Sequence, residues 1–434
     1  MTRFVYEIVL HIGFLAMVPY FLFMAAAARK YRRGLPERLG MVPRRKLAAL
    51  EGGPVVWVHA VSVGETRAVI PLVRMLKERR PQVKVLFSTV TATANDVAAA
   101  EGKGLIDALV YCPLDFSWAV GRLIDRAAPR VFVVVEKEVW PNLLLLLRRS
   151  GAATVVVNGT VSERSFESYR RFGFFFREVF GSLSAFCART EEDAARAEAL
   201  GVEPGRVTVA GNIKFDMGAR TAGCEARADE LRRALCVDGG PVIVAGSTHR
   251  GEEEILLRLY GSLRSEFPEL RLFIVPRHPE RFDEVEALAA RSGFSYVRRS
   301  AGGRGDIVVV DTVGELSALY SLADVAVVCG SLVRGVGGHN LLEPAFFSRP
   351  VLYGPYIDSY RSMAALLEAG GGGLRAAGES DMLAKLRRLL REEGAREEMG
   401  RRAKAVVDAN RGAAARCVDT IEAFLDDRGA ERGG

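Results

Sequence analysis

A chain of 434 residues is too long for one ordinary hydrophobic core and fits two domains with a short additional segment. Its 49% hydrophobic and 26% charged residues exclude a disordered or low-complexity protein. The formal net charge of +7 arises from 60 Lys and Arg residues against 53 Asp and Glu residues, a mixed balance that suggests an anionic surface or substrate without indicating nucleic acid.

The N-terminal segment is apolar from Phe4 to Ala28, interrupted by Glu7, His11 and Pro19. The residues that follow it at once are basic: Arg29, Lys30, Arg32 and Arg33. The segment is long enough to span a bilayer, and the basic flank predicts that the rest of the chain stays in the cytoplasm. A cleaved signal peptide and a shallow interfacial helix remain alternatives, the latter because Glu7 and His11 are costly at mid-bilayer. We expect a membrane anchor and basic linker over residues 1–45.

After the linker, short β-branched runs alternate with stretches of helical periodicity, which predicts a parallel α/β sheet. The runs are apolar on both faces, as is typical of strands covered by helices on each side. The predicted strands of this first domain, residues 46–216, are Val55–His59, Lys84–Ser88, Ala108–Tyr111, Val131–Val135 and Thr154–Asn158.

A polar stretch over residues 217–240 predicts an interdomain linker with a short helix, and a second α/β rhythm then covers residues 241–398. Its predicted strands are Pro241–Ala245, Leu270–Pro276, Ile307–Val310, Val325–Cys329 and Pro350–Tyr353. The remaining segment, 399–434, contains a helix from about Met399 to Leu425 that could pack back on the first domain.

Candidate site residues of the first domain follow its strands. Glu65 ends the segment HAVSVGE after the first strand and lies in the first turn of a helix, together with the small residues Ser62 and Gly64. Ligands of doubly wound sheets gather at this edge, so Glu65 is expected to face a cleft. A carboxylate in a first turn also stabilises the helix, and helix capping alone remains an alternative.

Two carboxylates, Glu136 and Glu138, follow the fourth strand, just before the Trp140 aromatic ring and a proline that begins a helix. An exposed charged loop is the alternative. Near the end of the domain, Lys214 lies among small and apolar residues. Its compact charge suits an anionic leaving group, although a solvated surface position is the default for lysine.

The second domain carries polar motifs after four of its strands, and their common sheet edge predicts a ligand site. The first, Gly246 to Glu253, resembles a phosphate-binding turn without a Walker lysine. Arg277 and His278 follow the next strand, and the turn at Gly314 follows the third. A glycine-rich loop after the fourth strand leads to Glu343, whose carboxylate could accept both hydroxyls of a ribose.

A zinc site is not predicted, although His249, His278 and His339 are all near these strand ends. No pair of them is spaced i, i+4 on one helix, no carboxylate completes a ligand set, and the cysteines form no CxxC pair. We therefore expect no metal.

Taken together, these motifs resemble the Kdo transferases, the 3-deoxy-D-manno-octulosonic acid transferases that modify lipid A. The segments that carry the resemblance are WVHAVSVGE (57–65), PLD (113–115), E-x-E-x-WPN (136–142), SERS (162–165), GSTHRGEE (246–253), PRHPERF (276–282), GEL (314–316) and GGHN-x-LEPA (337–345). They span the chain from the anchor to about residue 375.

The resemblance implies a GT-B fold, with two Rossmann-like domains facing across a cleft behind an N-terminal membrane-anchor helix. It implies an inverting transfer of Kdo from CMP-Kdo to a lipid A precursor, lipid IVA, at the cytoplasmic face of the inner membrane, without a cofactor or metal. Glu65 matches the proton acceptor of the family, and Glu136 and Lys214 match transition-state stabilisers. The matching CMP-binding positions are Arg277, His278, Val313, Gly314, Glu315, Asn340, Leu341, Leu342 and Glu343. Further candidates are Ser62, Gly64, Glu138, Ser247, Thr248, Ser331 and His339.

The chain departs from the family pattern mainly in the acceptor half, as at Thr91-Ala-Thr93-Ala and Val135-Glu-Lys137-Glu. The number of Kdo residues added therefore stays open, as does the oligomeric state. Alternatives are another GT-B transferase, a UDP-sugar epimerase, and a non-catalytic membrane protein that binds nucleotide or lipid. No nucleic-acid partner is expected.

Overall fold

The computed structural model describes residues 2–27, 33–221 and 224–430. The chain divides into two compact units, of which unit 1 combines Met1–Met217 with Arg411–Gly434 and unit 2 consists of Gly218–Asn410. Each unit is a Rossmann-like layer structure with helices packed on a parallel sheet.

Unit 1 contains, in its described part, a seven-stranded parallel sheet. Its strands are β1 Val55–Ala60, β2 Lys84–Thr89, β3 Ala108–Tyr111, β4 Val131–Val135, β5 Ala153–Gly159, β6 Ala185–Ala188 and β7 Val207–Val209. Its helices are α1 Thr2–Ala27, α2 Leu35–Arg38, α3 Arg44–Leu47, α4 Val63–Arg79, α5 Ala92–Glu101, α6 Ser117–Ala127, α7 Pro141–Ser150, α8 Glu163–Arg171, α9 Gly173–Phe180, α10 Glu191–Leu200 and α19 Ala413–Ala430.

Unit 2 likewise contains a seven-stranded parallel sheet among its described residues. Its strands are β8 Val242–Thr248, β9 Arg271–Pro276, β10 Tyr296–Arg298, β11 Ile307–Val309, β12 Val325–Val328, β13 Val351–Tyr353 and β14 Gly373–Arg375. Its helices are α11 Cys224–Ala234, α12 Glu252–Arg264, α13 Phe282–Arg291, α14 Leu316–Leu322, α15 Leu342–Phe346, α16 Arg361–Ala369, α17 Glu379–Arg391 and α18 Glu393–Ala409.

The strand order places the candidate residues of each unit together. Unit 1 has the order β3-β2-β1-β4-β5-β6-β7, and unit 2 has β10-β11-β9-β8-β12-β13-β14. The direction of winding therefore reverses between β1 and β4 in unit 1 and between β8 and β12 in unit 2. Ligands of doubly wound sheets bind at the carboxyl ends of the strands at such a reversal.

The central strands match the predicted apolar runs because helices cover both faces of each sheet. All six residues of β1 are buried, as are all five of β4. The ring of Trp57 on β1 meets that of Phe132 on β4 edge-on, with centroids 4.9 Å apart. This confirms the predicted α/β class and the two parallel sheets, while β6, β7, β10 and β14 were not predicted.

Two segments of the chain differ in detail from their expected extents. The polar stretch at 217–240 contains α11, which packs against α14 inside unit 2. The single helix expected from about Met399 is two helices, α18 within unit 2 and α19 within unit 1. The chain turns between them at Gly412, whose φ is +93°, and α19 packs against α4 and β5.

The first half of α1 packs on unit 1 through its polar and aromatic residues. The Tyr6 hydroxyl donates to Asp115 Oδ2 (2.9 Å), and the backbone amide of Ser117 donates to Glu7 Oε1 (3.0 Å). The Trp118 indole N–H donates to the ring of His11 (3.4 Å). Glu7 and His11, two of the three residues that interrupt the apolar segment, therefore dock the helix on the domain.

The anchor itself stays a prediction. Within the described residues, no helix combines the length and apolarity needed to cross a membrane. Of the basic flank, Arg29, Lys30 and Arg32 lie outside the described residues, and Arg33 forms an ion pair with Asp96 (2.6 Å).

Candidate active site

Glu65 is fixed by hydrogen bonds at the start of α4. Ser62 caps this helix, because its hydroxyl oxygen accepts the Glu65 amide (3.2 Å). The carboxylate in turn accepts the Val61 amide (2.7 Å) and the Ser62 hydroxyl (3.0 Å). A Cβ added to Gly64 would meet, among the described atoms, the Ser62 hydroxyl oxygen at 3.8 Å. The capping interpretation is therefore correct locally, and the same bonds hold the carboxylate at the sheet edge beside β1.

The surroundings of Glu65 favour its protonated form. The residue is 8% exposed, and burial raises the pKa of its carboxyl group. The negative charges of Glu136 and Glu138 act in the same direction, while the bonds from the Val61 amide and the Ser62 hydroxyl oppose it. Perturbation of this kind is frequent at functional sites.

Glu136 and Lys214 form an ion pair at the end of β4. Lys214 Nζ lies 2.8 Å from Glu136 Oε1, and the two side chains are 21% and 14% exposed. The side-chain amide of Asn158, at the end of β5, donates to the same oxygen (3.2 Å), while its own oxygen accepts the Ile213 amide (3.2 Å). The structure thus joins three strand-end segments that are far apart in sequence.

The backbone is strained where these side chains project. Glu136 has a φ of +65° and Asn158 a φ of +56°. Such left-handed conformations cost about 1–2 kcal/mol for a residue with a Cβ, and they concentrate at functional sites. Asn158 was noted in the sequence as closing its strand, but its bond to Glu136 could not be inferred from spacing.

A pocket opens beside the turn from Glu136 to Glu138 in unit 1. Its cavity volume is about 50 Å³, with Lys137 and Thr160 at its polar side and residues such as Val156 and Phe186 in its apolar wall. Burial raises the pKa of Glu138.

In unit 2, three histidines meet at the carboxyl ends of β8, β9 and β12. His249 Nε2 lies 2.8 Å from His339 Nε2, and the His278 ring meets the His249 ring nearly at right angles, with centroids 5.4 Å apart. Arg277 and His278 are exposed at the end of β9. The structure therefore brings the first, second and fourth sequence motifs of this domain together.

The carboxylate of Glu252 holds the loops that carry these histidines. It is fully buried and accepts the backbone amides of His249, Gly330, Ser331 and Leu332, at 2.8–3.0 Å. The neighbouring Glu253, also buried, pairs with Arg281 (2.7 Å). The sequence pattern does not distinguish Glu252 from its neighbours, although a carboxylate in the first turn of a helix is a signal for amide binding.

The turn at Gly314 is held by the side chain of Glu315. Arg299 donates both arms to this carboxylate (2.9 Å each), and Arg227 and Thr312 also bind it. Burial alone would raise the pKa of Glu315, but these hydrogen bonds outweigh it and lower the pKa. Because its carboxylate is occupied, Glu315 positions the turn, where Gly314 has a φ of +94° and Val313 is 76% exposed.

Several other predicted donor residues are buried or bonded locally. Leu341 and Leu342 have buried side chains, so that a ligand would meet their backbone. Asn340 Oδ1 accepts the Leu342 amide (3.2 Å), and Glu343 lies in the first turn of α15.

Two hydroxyl candidates are also occupied. The buried Thr248 donates to Glu253 (2.8 Å) and the buried Ser331 donates to the Val328 carbonyl (2.6 Å). Ser247, which precedes Thr248 within β8, adopts a φ of +60°.

No group of three or more His, Cys, Asp or Glu residues in the described part of the chain has an arrangement that could hold a metal ion. In the histidine cluster, the closest nitrogens of His249 and His339 point at each other.

Comparison with known proteins identifies the family. The profile described as 3-deoxy-D-manno-octulosonic-acid transferase (kdotransferase) matches residues 33–217. The chain is 32% identical to the 3-deoxy-D-manno-octulosonic acid transferase of Haemophilus influenzae, over 98% of this chain and 99% of that protein. The chain belongs to this family. The enzyme of the same description from Bordetella pertussis is 36% identical over 90% of this chain and 91% of its own length.

Solved structures show the same fold at low sequence identity. A UDP-GlcNAc 2-epimerase from Neisseria meningitidis, bound to UDP-GlcNAc, aligns with a TM-score of 0.60 at 14% identity, over 85% of this chain and 99% of that one. A glycosyltransferase from Rickettsia africae aligns with a TM-score of 0.57 at 11% identity, over 86% and 98%. These likenesses concern architecture, whereas the sequence relatives assign this transferase to its glycosyltransferase family.

Proposed function

We propose that this transferase moves a Kdo residue from CMP-Kdo to a hydroxyl group of a lipid A precursor, lipid IVA, with inversion at the anomeric carbon. The observation that carries the proposal is the position of Glu65, a buried carboxylate with a raised pKa at the winding reversal of unit 1. The Glu136–Lys214 pair follows the adjacent strand. Family membership supplies the substrate class.

The chemistry assigned to unit 1 is activation of the acceptor. The Glu65 carboxylate takes the proton of the acceptor hydroxyl, and the oxygen attacks the anomeric carbon from the face opposite the CMP group. The bond from that carbon to the phosphate oxygen breaks, and its electron pair leaves with CMP. We assign Lys214 to stabilising negative charge in the transition state, with Glu136 holding its ammonium group in place.

The donor nucleotide is assigned to unit 2, as in a GT-B transferase. Arg277 and His278 offer exposed cationic and donor groups for the phosphate. Residues 313–315 and 340–343 are assigned to the rest of CMP, with the Glu343 carboxylate accepting the ribose hydroxyls. Since protein cations serve the phosphate, we expect transfer to need no metal, and activity that is lost in EDTA and restored by a divalent ion would contradict this.

The acceptor is lipidic, and α1 suits contact with the cytoplasmic face of the inner membrane. Tyr6, Glu7 and His11 face unit 1, while the other side of the helix is apolar and exposed. The exposed residues of that side are Val5, Ile8, Val9, Ile12, Leu15 and Met17. A helix with one docked face and one apolar face is suited to the bilayer interface.

The membrane assignment is tested with the variant Ile12→Glu/Leu15→Glu, in which residues exposed by 62% and 67% become charged. In a sedimentation assay with vesicles of anionic phospholipid, we expect the variant to stay in the supernatant, while the wild type sediments with the vesicles. Tyr296→Glu, at a residue of unit 2 that is 40% exposed, is the matched control and should sediment normally. Full sedimentation of the double variant would remove α1 from membrane binding.

The transfer itself is tested by incubating the purified chain with CMP-Kdo and lipid IVA and weighing the lipid product by mass spectrometry. We expect a mass increase of one or more Kdo residues, and their number answers the question left open by the sequence. A lipid of unchanged mass, together with conversion of a UDP-sugar, would favour an epimerase instead.

A further inference from the structure

The rings of His249 and His339 share one hydrogen bond, edge to edge. Their planes differ by 10° and their centroids lie 5.0 Å apart, while Nε2 of one lies 2.8 Å from Nε2 of the other. The centroid separation exceeds the N–N distance by about two ring radii, as expected when two nearly coplanar rings point at each other. One proton therefore lies between the two nitrogens, donated by one ring and accepted by the other.

This geometry limits the charge of the pair. An uncharged pair carries one proton between the Nε2 atoms and one on a Nδ1 atom. A third proton, on the other Nδ1, gives a singly charged pair in which the shared bond is kept. A fourth would place hydrogens on both facing nitrogens and break the bond. The pair can thus gain one positive charge and not two while it stays intact.

Burial and the charged groups around the pair lower the pKa of both histidines, which favours the uncharged pair before a ligand binds. Burial lowers the pKa of His339 to about 4, and the neighbouring His249, Arg277 and His278 act in the same direction. The pKa of His249 is lowered by burial and by His278, Arg277 and Arg281. Of the nearby carboxylates, Glu252 accepts backbone amides and Glu253 pairs with Arg281. The exposed Glu280 carboxylate lies 3.8 Å from Nδ1 of His278.

The pair also stands where a ligand is expected. His249 follows β8 and His339 follows β12, so their bond bridges the two strands between which the winding of unit 2 reverses. The His339 ring packs on Gly330, where an added Cβ would lie 2.7 Å from the ring. Gly330 has a φ of +73°, so no other residue leaves this space for the ring.

We propose that the His249–His339 pair binds an anionic oxygen of the donor and takes up one proton as it does so. This rests on the proposed function, because CMP-Kdo carries two such anions, a phosphodiester and the Kdo carboxylate. A bound anion offsets the repulsion from Arg277, His278 and Arg281. It also stabilises the form that carries the third proton, because the charged histidines then form an ion pair with the anion. The pair then holds positive charge at the donor when CMP departs.

The test is titration calorimetry of the full chain at pH 7 in buffers of different ionisation enthalpy, which measures the protons taken up on binding. The ligands are CMP, CMP-Kdo without acceptor, and inorganic phosphate. We expect an uptake of up to one proton per site. Uptake with CMP and phosphate identifies the phosphate as the anion, and uptake with CMP-Kdo alone identifies the carboxylate.

Variants separate the pair from other groups that titrate, including CMP itself. His339→Gln should abolish the uptake and weaken donor binding by at least about tenfold, through loss of a charge-assisted hydrogen bond. His11→Gln changes a histidine on α1 of unit 1, which contacts Trp118, and should retain the uptake. Should His339→Gln fold poorly, ¹⁵N spectra of histidine-labelled wild type decide, because the imidazole shifts of two histidines must change to those of a protonated pair on donor binding.

The outcomes separate this inference from the proposed function. Binding and transfer without proton uptake, or uptake that persists in His339→Gln, overturns the role of the pair and leaves the transferase assignment intact. A chain that binds neither CMP nor CMP-Kdo overturns both.

Discussion

Glu65 owes its orientation to the helix that it helps to begin. Its carboxylate is held by the Val61 amide and the Ser62 hydroxyl, which leaves lone pairs on both oxygens, since an ionised carboxylate accepts about four hydrogen bonds. A capping group and a general base are therefore compatible roles for one side chain.

Glu65→Gln removes the base and keeps the shape of the side chain. Because an amide oxygen can still accept the Val61 amide, we expect the fold and the affinity for CMP to persist. Turnover should fall by roughly 10²–10⁴-fold, the usual contribution of a positioned base. Steady-state transfer assays measure the turnover, and titration calorimetry with CMP measures the affinity. Glu192→Gln, at a carboxylate that is 71% exposed, is the control, and near-normal turnover of Glu65→Gln would exclude the assigned role.

The pH profile of transfer reports the environment of Glu65. Burial and the charges of Glu136 and Glu138 raise its pKa, so the base becomes protonated, and activity is lost, at a higher pH than for an ordinary glutamate. We expect the acid limb of the kcat/KM profile to lie at a higher pH than the pKa of an ordinary glutamate. In Glu138→Gln, which removes one negative charge, this acid limb should shift to lower pH. An acid limb that stays in place in this variant would contradict the coupling.

The residues that the sequence located best are those whose contacts are local. Glu65 and its partners lie within four positions of one another, so motif and capping pattern together predicted its position. The Glu136–Lys214 and His249–His339 contacts each join distant segments, the latter 90 positions apart. The sequence identified each of these residues as a candidate, but it did not predict which residues pair. Their pairing depends on strand order, which spacing in the sequence does not encode.

At the scale of elements, α12 fixes the loops that follow β8 and β12 through one carboxylate, that of Glu252. Glu252 accepts four backbone amides from two loops, and hydrogen bonds to a charged group contribute about 1.5–3 kcal/mol each. In Glu252→Gln, the side-chain NH₂ group would face amide donors. We expect a lower melting temperature for unit 2 and weaker CMP binding, measured by calorimetry.

The control for Glu252→Gln is Glu269→Gln, because the Glu269 carboxylate is 63% exposed and pairs with Arg304 on the surface of the same unit. Glu269→Gln should change neither the melting temperature of unit 2 nor the affinity for CMP. Equal effects of the two variants would show that the loops do not depend on the buried carboxylate.

The four strands that the sequence did not predict escaped detection for two physical reasons. Strands β7, β10 and β14 have three residues each and lie at sheet edges, where one side lacks a neighbour and no long apolar run is needed. Strand β6 is internal and buried, but its sequence Ala-Phe-Cys-Ala contains no β-branched residue. The interior strands were predictable because burial on both faces demands the Val- and Ile-rich composition that the prediction relied on.

At the scale of the molecule, unit 1 is completed by a segment that the chain reaches after building unit 2. Val418 and Ile421 of α19 are fully buried where the helix packs on α4 and β5. Ion pairs also link α19 to α4, as between Asp426 and Arg80 (2.6 Å), but the Asp426 side chain is 59% exposed. Solvent screens such a pair, so apolar burial dominates this attachment.

Val418→Ala/Ile421→Ala should therefore destabilise unit 1 selectively. Truncating a buried Ile to Ala costs about 2–5 kcal/mol and the valine adds to it, so the double variant is expected to lower a melting transition and reduce acceptor-dependent turnover. Binding of CMP should persist at low temperature, because the residues that we assign to CMP and the carboxylates that hold their loops all lie in unit 2. Asp426→Asn is the control for the ion pairs and should melt like the wild type. If Asp426→Asn destabilised the chain as much as the double variant does, the surface ion pairs, and not the buried face of α19, would attach this helix to the rest of unit 1.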